Sequence, residues 1–409
     1  MRRGGQRARR RPEALLAPSA AWEHGARVRR VSSGGQSTRF LPTLFPPVSR
    51  YLVCADDTRQ YPLDRSVWRC ECGGPLDLSP GPEFDSSRLD GCSLWRYRHT
   101  FDLPGCDRPV TMGEGQTPMV MLDDERPGVR AKLDFVMPTL SFKDRGAAVL
   151  VTVARAVGAE QLIADSSGNA GAAIAAYAAR ARVRCRVYVP DATATQKLAQ
   201  LTAYGAEVVT VRGSRADTAS AAMRALQESD AFYASHVWHP VFLEGTKTFA
   251  YEAWEQLGRG APEEVFLPVG NGTLLLGAAL GFADLHRAGL IDSIPRLVAV
   301  QASACNPVER AWRTGVPVPT AVDCRPTSAE GIAIEAPVRG RQVLAAVRAT
   351  GGRVIAVSEE AITEAQAGLA ARGLYVEATA AAVYAGLLVE PPADRLVVLP
   401  LCGAGLKHD

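Results

Sequence analysis

The chain has 409 residues, of which 47% are hydrophobic and 22% are charged, so it can bury a sizeable core in two or three domains and is not a fibrous protein. Its net charge of +3 is uneven: residues 1–48 hold ten Arg and two Glu, about +8, which leaves the remainder near −5. A mildly acidic body argues against nucleic acid as the main partner.

Residues 1–48 form an Arg-rich head without the apolar stretch of a secretory signal. We predict a disordered extension or an over-long start, with an organelle transit peptide as the alternative. No segment approaches the roughly 18 uninterrupted apolar residues of a membrane span, so we expect no membrane partner. The nine cysteines are an odd number scattered over a long chain, which predicts reduced thiols and a cytoplasmic location.

Residues 49–94 contain three weak candidates for metal ligands, Cys54, Cys70 and Cys72. A zinc knuckle normally brings four ligands, and the second Cys of the first CxxC pair is replaced by Asp57. The preferred interpretation is a zinc-ribbon-like segment that holds its fold without metal. A three-thiolate site completed by Asp57 is the alternative, and metal analysis of the purified protein would decide.

From residue 110 onward, strands and helices alternate. The pattern predicts a strand from Leu162 to Ala164, a polar glycine turn and an Ala-rich helix. Such alternation indicates parallel sheets wrapped by helices on both faces, and two α/β sheets fit better than one. The further predicted strands are RCRVYVP, EVVTV, EVFL, RLVAVQ, GRVIAV and RLVVL.

The loop after the strand EVFL, PVGNGTLLLG, is a candidate anion site. In such sheets, ligands lie at the carboxyl ends of strands. Gly270 and Gly272 allow a tight turn, and the amino end of the following helix adds partial positive charge, so a phosphate could bind without a basic side chain. A dinucleotide fingerprint is less favoured, since its third glycine would fall on Leu275. A plain strand-helix turn remains an alternative.

Two further loops carry polar groups at the same kind of position. In DSSGNAGAA, hydrogen-bond donors suited to a carboxylate or phenolate oxygen cluster at a helix amino end, although a well-capped helix would look the same. These residues are Ser166, Ser167, Gly168 and Asn169. In PLCGAGLKHD, Cys402 follows a strand directly, and its S–H could make one weak hydrogen bond or be a small buried hydrophobe.

The stretch PTLSFKDRG places Lys143 between a phenylalanine and an aspartate-arginine pair. A lysine is ordinarily a solvated surface charge. With the three loops, however, Lys143 completes a set of an aldehyde-reactive amine, an anion cup, a donor cluster and a neutral ring partner. Pyridoxal phosphate needs this set, so it is the predicted cofactor.

Seven motifs in the same order resemble those of threonine synthase and its relatives among the fold type II pyridoxal phosphate enzymes, the tryptophan synthase beta superfamily. The resemblance runs from about Tyr51 to the end of the chain. The motifs are GEGQTPM, PTLSFKDRG, SSGNAG, KLAQLTAYGAEV, LEGTKTFAYEAWEQLG, PVGNGTLLLG and CGAGLK.

The resemblance implies an α/β fold of two doubly wound domains with the cofactor between them, and a small N-terminal zinc-ribbon-like appendage. We place the appendage at 49–94 and the larger, cofactor-binding domain at 95–144 plus 239–409. The smaller domain, 145–238, is expected to be mobile and to close on a small amino-acid substrate. A homodimer is left open.

The resemblance also implies roles for individual residues. Lys143 would form the Schiff base and act as the catalytic proton shuttle. Asn169 would face O3′ of the cofactor, and Cys402 would meet its N1, where threonine synthases usually have a threonine. The phosphate would be wrapped by Gly270, Asn271, Gly272, Thr273 and Leu274. The substrate would be bound by Gln116, Thr117, Ser166, Ser167 and Gly168.

One segment departs from the family pattern. Threonine synthases typically carry N-S-x-N-P-x-R-x-E-G, but this chain has HVWHPVFLEG, with His236, His239 and Phe242 at three of those positions. Replacing an arginine by phenylalanine removes a bidentate phosphate partner. The two histidines are candidate substrate contacts or acid-base groups, with a purely structural role as the alternative.

Other motifs resemble elimination enzymes. SSGNAG and SAEGIAI are similar to segments of serine and threonine dehydratases, some of which have a cysteine at N1. A neutral S–H partner does not hold N1 protonated, which favours prompt β-elimination. We therefore predict a lyase that catalyses elimination or replacement at the side chain of a small amino acid through the Lys143 Schiff base. The alternatives are threonine synthase acting on O-phosphohomoserine, and a catalytically inert binding or regulatory protein that retains the cofactor.

Overall fold

The computed structural model describes residues 50–64, 67–392 and 395–407. The extension predicted at 1–48 lies outside these residues. The strands are β1 Leu52–Cys54, β2 Gln60–Tyr61, β3 Leu76–Leu78, β4 Met119–Met121, β5 Val129–Lys132, β6 Gln161–Ala164, β7 Arg184–Pro190, β8 Glu207–Val211, β9 Phe232–Tyr233, β10 Glu264–Pro268, β11 Arg296–Ala302, β12 Arg353–Val357 and β13 Val397–Pro400.

Helices follow most of these strands. They are α1 Lys143–Ala156, α2 Asn169–Ala181, α3 Thr195–Ala203, α4 Arg215–Gln227, α5 Val241–Thr246, α6 Thr248–Gln256, α7 Thr273–Arg287, α8 Pro307–Thr314, α9 Gly340–Ala349, α10 Glu359–Ala370 and α11 Ala378–Val389. Within the described ranges, no helix combines the length and apolarity that a membrane span needs.

The larger sheet has six strands in the order β12-β11-β10-β13-β5-β4. All neighbours are parallel except β4, which runs antiparallel to β5. Every residue of β10 and β13 is buried. Continuous burial is expected where helices cover both faces of a parallel sheet.

The smaller sheet has four parallel strands in the order β8-β7-β6-β9. Helix α1 packs against both α2 and α5, and it is buried from Asp144 to Ala154. A helix that is covered on all sides belongs to the core rather than to the surface. The predicted α/β class with parallel sheets is confirmed, whereas the domain boundaries stay predictions.

An antiparallel sheet in the order β2-β1-β3 precedes these elements. It has a small core of its own that includes Leu52 and Leu76. Arg339, just before α9, is almost fully buried and donates to the carbonyl of Leu76 and to the carboxylate of Asp77. A buried guanidinium with carbonyl and carboxylate partners fixes this sheet to α9.

Cys305 and Cys324 form a disulfide, with Cα atoms 4.6 Å apart. The expectation that all nine thiols are reduced is therefore wrong for this pair. The other seven cysteines are free. Spacing along the chain does not reveal such a pair, because 19 residues separate the two cysteines and only the path of the intervening loop brings them together.

Candidate active site

A cavity of about 470 Å³ lies where loops of the two parallel sheets meet. The smaller sheet contributes residues 166–168 after β6, and the larger sheet contributes residues 270–272 after β10. Segments 330–334 and 406–407 complete the wall, with Lys143 at the base. Both sheets thus present the carboxyl ends of their strands to one space, where ligands bind in open α/β sheets.

Lys143 is the first residue of α1, and backbone pairing with the end of the chain holds it in place. The N–H of Phe142 donates to the carbonyl of Cys402 at 2.9 Å, and the N–H of Ala404 donates to the carbonyl of Leu140 at 3.1 Å. The Lys143 side chain is half-buried. Its Nζ lies 3.4 Å from Oγ1 of Thr273 and 4.3 Å from the centre of the Phe142 ring.

Burial lowers the pKa of Lys143 to about 8, against a partial opposing effect of Cys402 and Glu377, while the charge of Arg215 lowers it further. Desolvation acts in this direction because it disfavours the charged ammonium. At pH 7 about a tenth of the amines are then neutral, compared with roughly three in ten thousand for an ordinary lysine. Lys143 is thus a competent nucleophile near neutral pH.

The rate at which cofactor-free protein takes up an aldehyde at Lys143 should follow this pKa. We expect the rate to rise about tenfold from pH 6 to pH 7 and to level off above pH 8, because only the neutral amine attacks. Stopped-flow absorbance during reconstitution measures it. A rate that keeps rising about tenfold per pH unit up to pH 10 would contradict the lowered pKa.

The loop between β10 and α7 forms the predicted anion cup. In the described part of the chain, the backbone N–H groups of Asn271, Gly272, Thr273 and Leu274 have no backbone acceptor. Gly272 has φ +80°, and a Cβ on it would lie 2.2 Å from Val343. A Cβ on Gly270 would lie 2.9 Å from Ile334. Only glycine fits at these positions and leaves the N–H groups open to an anion.

The predicted donor loop lies across the cavity from this cup. Ser166 is buried, Ser167 is half-buried and Gly168 is exposed, and all three line the cavity. Asn169 is the first residue of α2, and its Nδ2 donates to Oε2 of Glu377 at 2.9 Å. The loop therefore presents hydroxyl and amide groups at a helix amino end, which suits an anionic ligand group.

Cys402 lies below the cavity wall and is fully buried. Burial raises the pKa of its thiol well above the ordinary value, and the nearby Glu377 carboxylate adds to this effect. The S–H therefore stays protonated. Its Sγ lies 3.8 Å from Oε1 of Glu377, which lines the cavity itself. The predicted neutral thiol thus has a carboxylate neighbour that sequence motifs did not identify.

The structure brings only one of the two predicted histidines to the cavity. His236 lines it, and burial, with the charges of Lys143 and Arg215, lowers its pKa well below the ordinary value. His239 does not line it, is almost fully buried against Phe232, and has a pKa lowered to about 3 by burial and the charge of Arg339. His239 is therefore not part of the site proposed below.

Gln116 and Thr117 also lie outside the cavity lining. The Nε2 of Gln116 donates to the hydroxyl of Tyr97, and Oγ1 of Thr117 donates to Asp134. Both side chains are committed to the polar network behind α1, so we leave them out of the proposed site. Phe242, which replaces the family's arginine, is likewise buried beneath α1 and does not line the cavity.

Several polar residues line the cavity that sequence motifs did not assign. Arg215 is the first residue of α4, whose amino end is fixed by a capping box between Ser214 and Asp217. That box, S-R-A-D, is a sequence signal for the helix start, but nothing in it indicates that Arg215 faces another sheet. The unassigned lining residues are Gln196, Gln200, Arg215, Glu330, Glu377, Thr379 and Lys407.

These groups fit pyridoxal phosphate, the cofactor predicted from the sequence. The cup lacks side chains where a Cβ would collide, and its open N–H groups match a phosphate. Lys143 offers an amine to an aldehyde. Asn169 and the Cys402–Glu377 pair supply a donor, a neutral thiol and a carboxylate for the polar atoms of a pyridine ring.

Comparison with known proteins extends this agreement. The model of the family "Pyridoxal-phosphate dependent enzyme" matches residues 110–403. The chain is 33% identical over 373 residues to the threonine synthase of Methanocaldococcus jannaschii, covering 87% of this chain and 92% of that protein. It is 35% identical over 311 residues to the threonine synthase of Mycobacterium tuberculosis, covering 73% of this chain and 84% of that protein.

Solved structures resemble this chain as well. A bacterial threonine deaminase superposes with a TM-score of 0.59 at 28% identity, covering 68% of this chain and 87% of that chain. O-ureido-L-serine synthase superposes with a TM-score of 0.60 at 22% identity, covering 72% of this chain and 90% of that chain. The second likeness concerns the fold alone.

Proposed function

The chain belongs to the family of pyridoxal-phosphate dependent enzymes, which confirms the predicted cofactor, and on that premise we propose that Lys143 carries it in an enzyme for elimination or replacement at the side chain of a small amino acid. The observation that carries this proposal is the convergence of three features on one cavity. They are an amine with a lowered pKa, an anion cup without side chains and a loop of hydroxyl and amide donors.

When bound, pyridoxal phosphate supplies an aldehyde that joins to an amine and a ring that draws electrons from the substrate's Cα. Lys143 provides the first amine, since its neutral form is populated at pH 7. Once the substrate's amine replaces it, Nζ of Lys143 is free to take the proton from Cα and to return a proton to the departing β-substituent.

Binding is shared between the two sheets. The N–H groups from Asn271 to Leu274 would hold the phosphate, while Ser166 and Ser167 at the start of α2 would hold the substrate carboxylate. His236 is neutral near pH 7 because its pKa is lowered, so it would act there as a hydrogen-bonding group and not as a cation.

The chemistry at the ring nitrogen depends on the Cys402 thiol and the Glu377 carboxylate. A thiol whose pKa is raised by burial stays neutral and stabilises little positive charge, as the elimination hypothesis requires. Glu377 adds a negative charge 3.8 Å from that sulfur. We retain elimination or replacement as the leading function, because the neutral thiol is the group predicted to meet N1.

The test is a turnover assay across a panel of amino acids. Serine, threonine, diaminopropionate and O-activated serine derivatives should include at least one substrate that releases keto acid, ammonia or its β-substituent. O-Phosphohomoserine belongs in the same panel. Release of phosphate with formation of threonine would overturn the leading proposal, and cofactor binding without turnover on any substrate would favour an inert binding or regulatory protein.

Threonine synthesis is a second candidate, and one observation favours it. Arg215 lines the cavity within electrostatic reach of Lys143. It could supply the phosphate partner that is lost where Phe242 stands, because a guanidinium binds phosphate in a bidentate manner. Arg215→Met would then raise KM for O-phosphohomoserine far more than KM for serine. Equal effects on both substrates would remove this support.

Substituting the glycine at the helix start tests the cup separately from the lysine. We expect Gly272→Ala to weaken cofactor binding by about tenfold or more, because a Cβ is disfavoured at positive φ. The new Cβ meets Val343 at 2.2 Å and needs φ +80°. Equilibrium dialysis measures the affinity. Gly289→Ala, at the other end of α7, is the matched control: it has φ +67° with no atom within 4 Å of its Cβ, so it should cost stability without changing affinity.

A further inference from the structure

The loops of the small antiparallel sheet bring four metal-ligand side chains together. Cys54 ends β1, Asp57 lies in the turn that follows, and Cys70 and Cys72 precede β3. One ligand atom from each of these four residues lies within 4.8 Å of the others. We propose that Cys54, Asp57, Cys70 and Cys72 form a structural zinc site.

The separations agree with tetrahedral zinc. Zn–S bonds of about 2.3 Å place two thiolates about 3.8 Å apart, and a carboxylate oxygen at about 2.1 Å lies about 3.6 Å from a bound sulfur. In this chain, the Sγ atoms of Cys54 and Cys72 are 3.5 Å apart, and Sγ of Cys70 lies 3.5 Å and 3.6 Å from the two Asp57 oxygens. No pair exceeds 4.8 Å, so one ion at the centre would require shifts of about 1 Å or less.

Backbone N–H groups also point at each sulfur, which is a second and independent observation. Cys54 accepts from Asp56 and Asp57 at 3.3 and 3.4 Å, Cys70 accepts from Cys72 at 3.4 Å, and Cys72 accepts from Gly74 at 3.3 Å. Neutral thiols are weak acceptors, whereas thiolates are stabilised by such donors. The turns are therefore built for charged sulfur.

Asp57 has a competing partner, Arg59, whose Nε lies 2.8 Å from one carboxylate oxygen. A carboxylate has two oxygens and can bind an ion with one while it accepts from the guanidinium with the other. An arginine in this position orients the ligand, as partners outside the metal's own ligand set commonly do. Four protein ligands leave no open position, which assigns zinc a structural and not a catalytic role.

The site would stabilise the small sheet, whose own core is small. Binding requires the three cysteines to lose their protons, so zinc uptake releases protons to solvent and weakens at low pH. The proposal does not depend on the amino-acid chemistry of the cavity. Cofactor absorbance therefore serves as a separate readout, and the two can fail independently.

The experiment is metal analysis of the untagged full-length protein by inductively coupled plasma mass spectrometry. We expect about one zinc per chain in the unaltered protein and a fall to near zero in Cys72→Ser. Cys92→Ser is the matched control, because Cys92 is an exposed free cysteine outside the cluster; it should keep the zinc. Asp57→Asn should weaken retention against a chelator without abolishing it.

Cobalt substitution of the unaltered protein keeps the test valid if the variants fail to fold. Tetrahedral Co²⁺ bound to thiolates would give an intense visible and near-ultraviolet spectrum that equimolar zinc removes. A protein with no metal, with iron in place of zinc, or with a Cys54–Cys72 disulfide found by mass spectrometry would overturn the proposal. So would equal zinc loss in Cys92→Ser and Cys72→Ser.

Discussion

Lys143→Ala is expected to abolish the visible absorbance of the bound cofactor and to lower turnover by about 10²–10⁴-fold or more, because it removes both the attachment point and the amine that moves the proton. Borohydride reduction followed by peptide mass spectrometry would locate the attachment in the unaltered protein. The modified residue should be Lys143, and the variant should yield no modified peptide.

Lys407→Ala is the matched control. Lys407 lines the same cavity, and its amine donates to the carbonyl of Thr139 at 2.9 Å. If Lys143 carries the cofactor, this control keeps the absorbance band and the reduced adduct. An adduct on Lys407, or an unchanged band in Lys143→Ala, would refute the assignment of the site.

Arg145→Ala is expected to destabilise the protein by about 3–5 kcal/mol, since it leaves buried carboxylates without their partner. Arg145 follows Lys143 by two residues and is completely buried. Its guanidinium lies 2.8 Å from Asp134 and 2.5 Å from Glu252, and Glu252 also binds the amine of Lys132 at 2.7 Å. This network ties α1 to α6 and to the loop after β5, behind the cavity.

Urea unfolding followed by far-ultraviolet circular dichroism measures the change. The exposed pair of Arg184 and Glu160, with charged groups 3.9 Å apart, supplies the control. Arg184→Ala should change the free energy of unfolding by less than about 1 kcal/mol, as exposed pairs contribute little. Similar losses in the two variants would mean that the buried network is not a main source of stability.

The difference between Arg145→Ala and the unaltered protein should also depend on pH. Burial alone would raise the pKa of Glu252, but the charges of Arg145 and Lys132 outweigh it and lower that pKa from 4.5 to about 2. A depressed carboxyl pKa gives stability that is complete above about pH 4.5 and is lost as the pH falls through about 2. The gap between the two proteins should therefore narrow over this range.

Much of the site could be predicted because its groups come from short local motifs. PVGNGTLLLG carries a strand end, glycines and a helix start within ten residues, and these features together create the anion cup. SSGNAG similarly places donors at the start of α2. Lys143 begins α1 directly after a turn. Each of these arrangements depends on backbone conformation over a few residues, which local sequence specifies strongly.

The groups that sequence reasoning missed or misplaced depend on packing between distant segments. Glu377 reaches the cavity because the start of α11 lies beside Cys402 and Asn169, and Arg215 reaches it from the amino end of α4. His239 lies three residues beyond His236, which does line the cavity, and its ring packs into the interior instead. No local pattern carries such information.

Local sequence was enough to specify the alternation of strands and helices, the glycine cup, the donor loop and the reactive lysine, because periodicity and turn chemistry act over a few residues. The folded chain was needed to show which charges surround Lys143, that Cys305 bonds to Cys324, and that Asp57 joins three cysteines in one cluster. The reason is physical: pKa shifts, disulfides and metal geometry depend on distances between side chains far apart in the chain, and folding alone sets those distances.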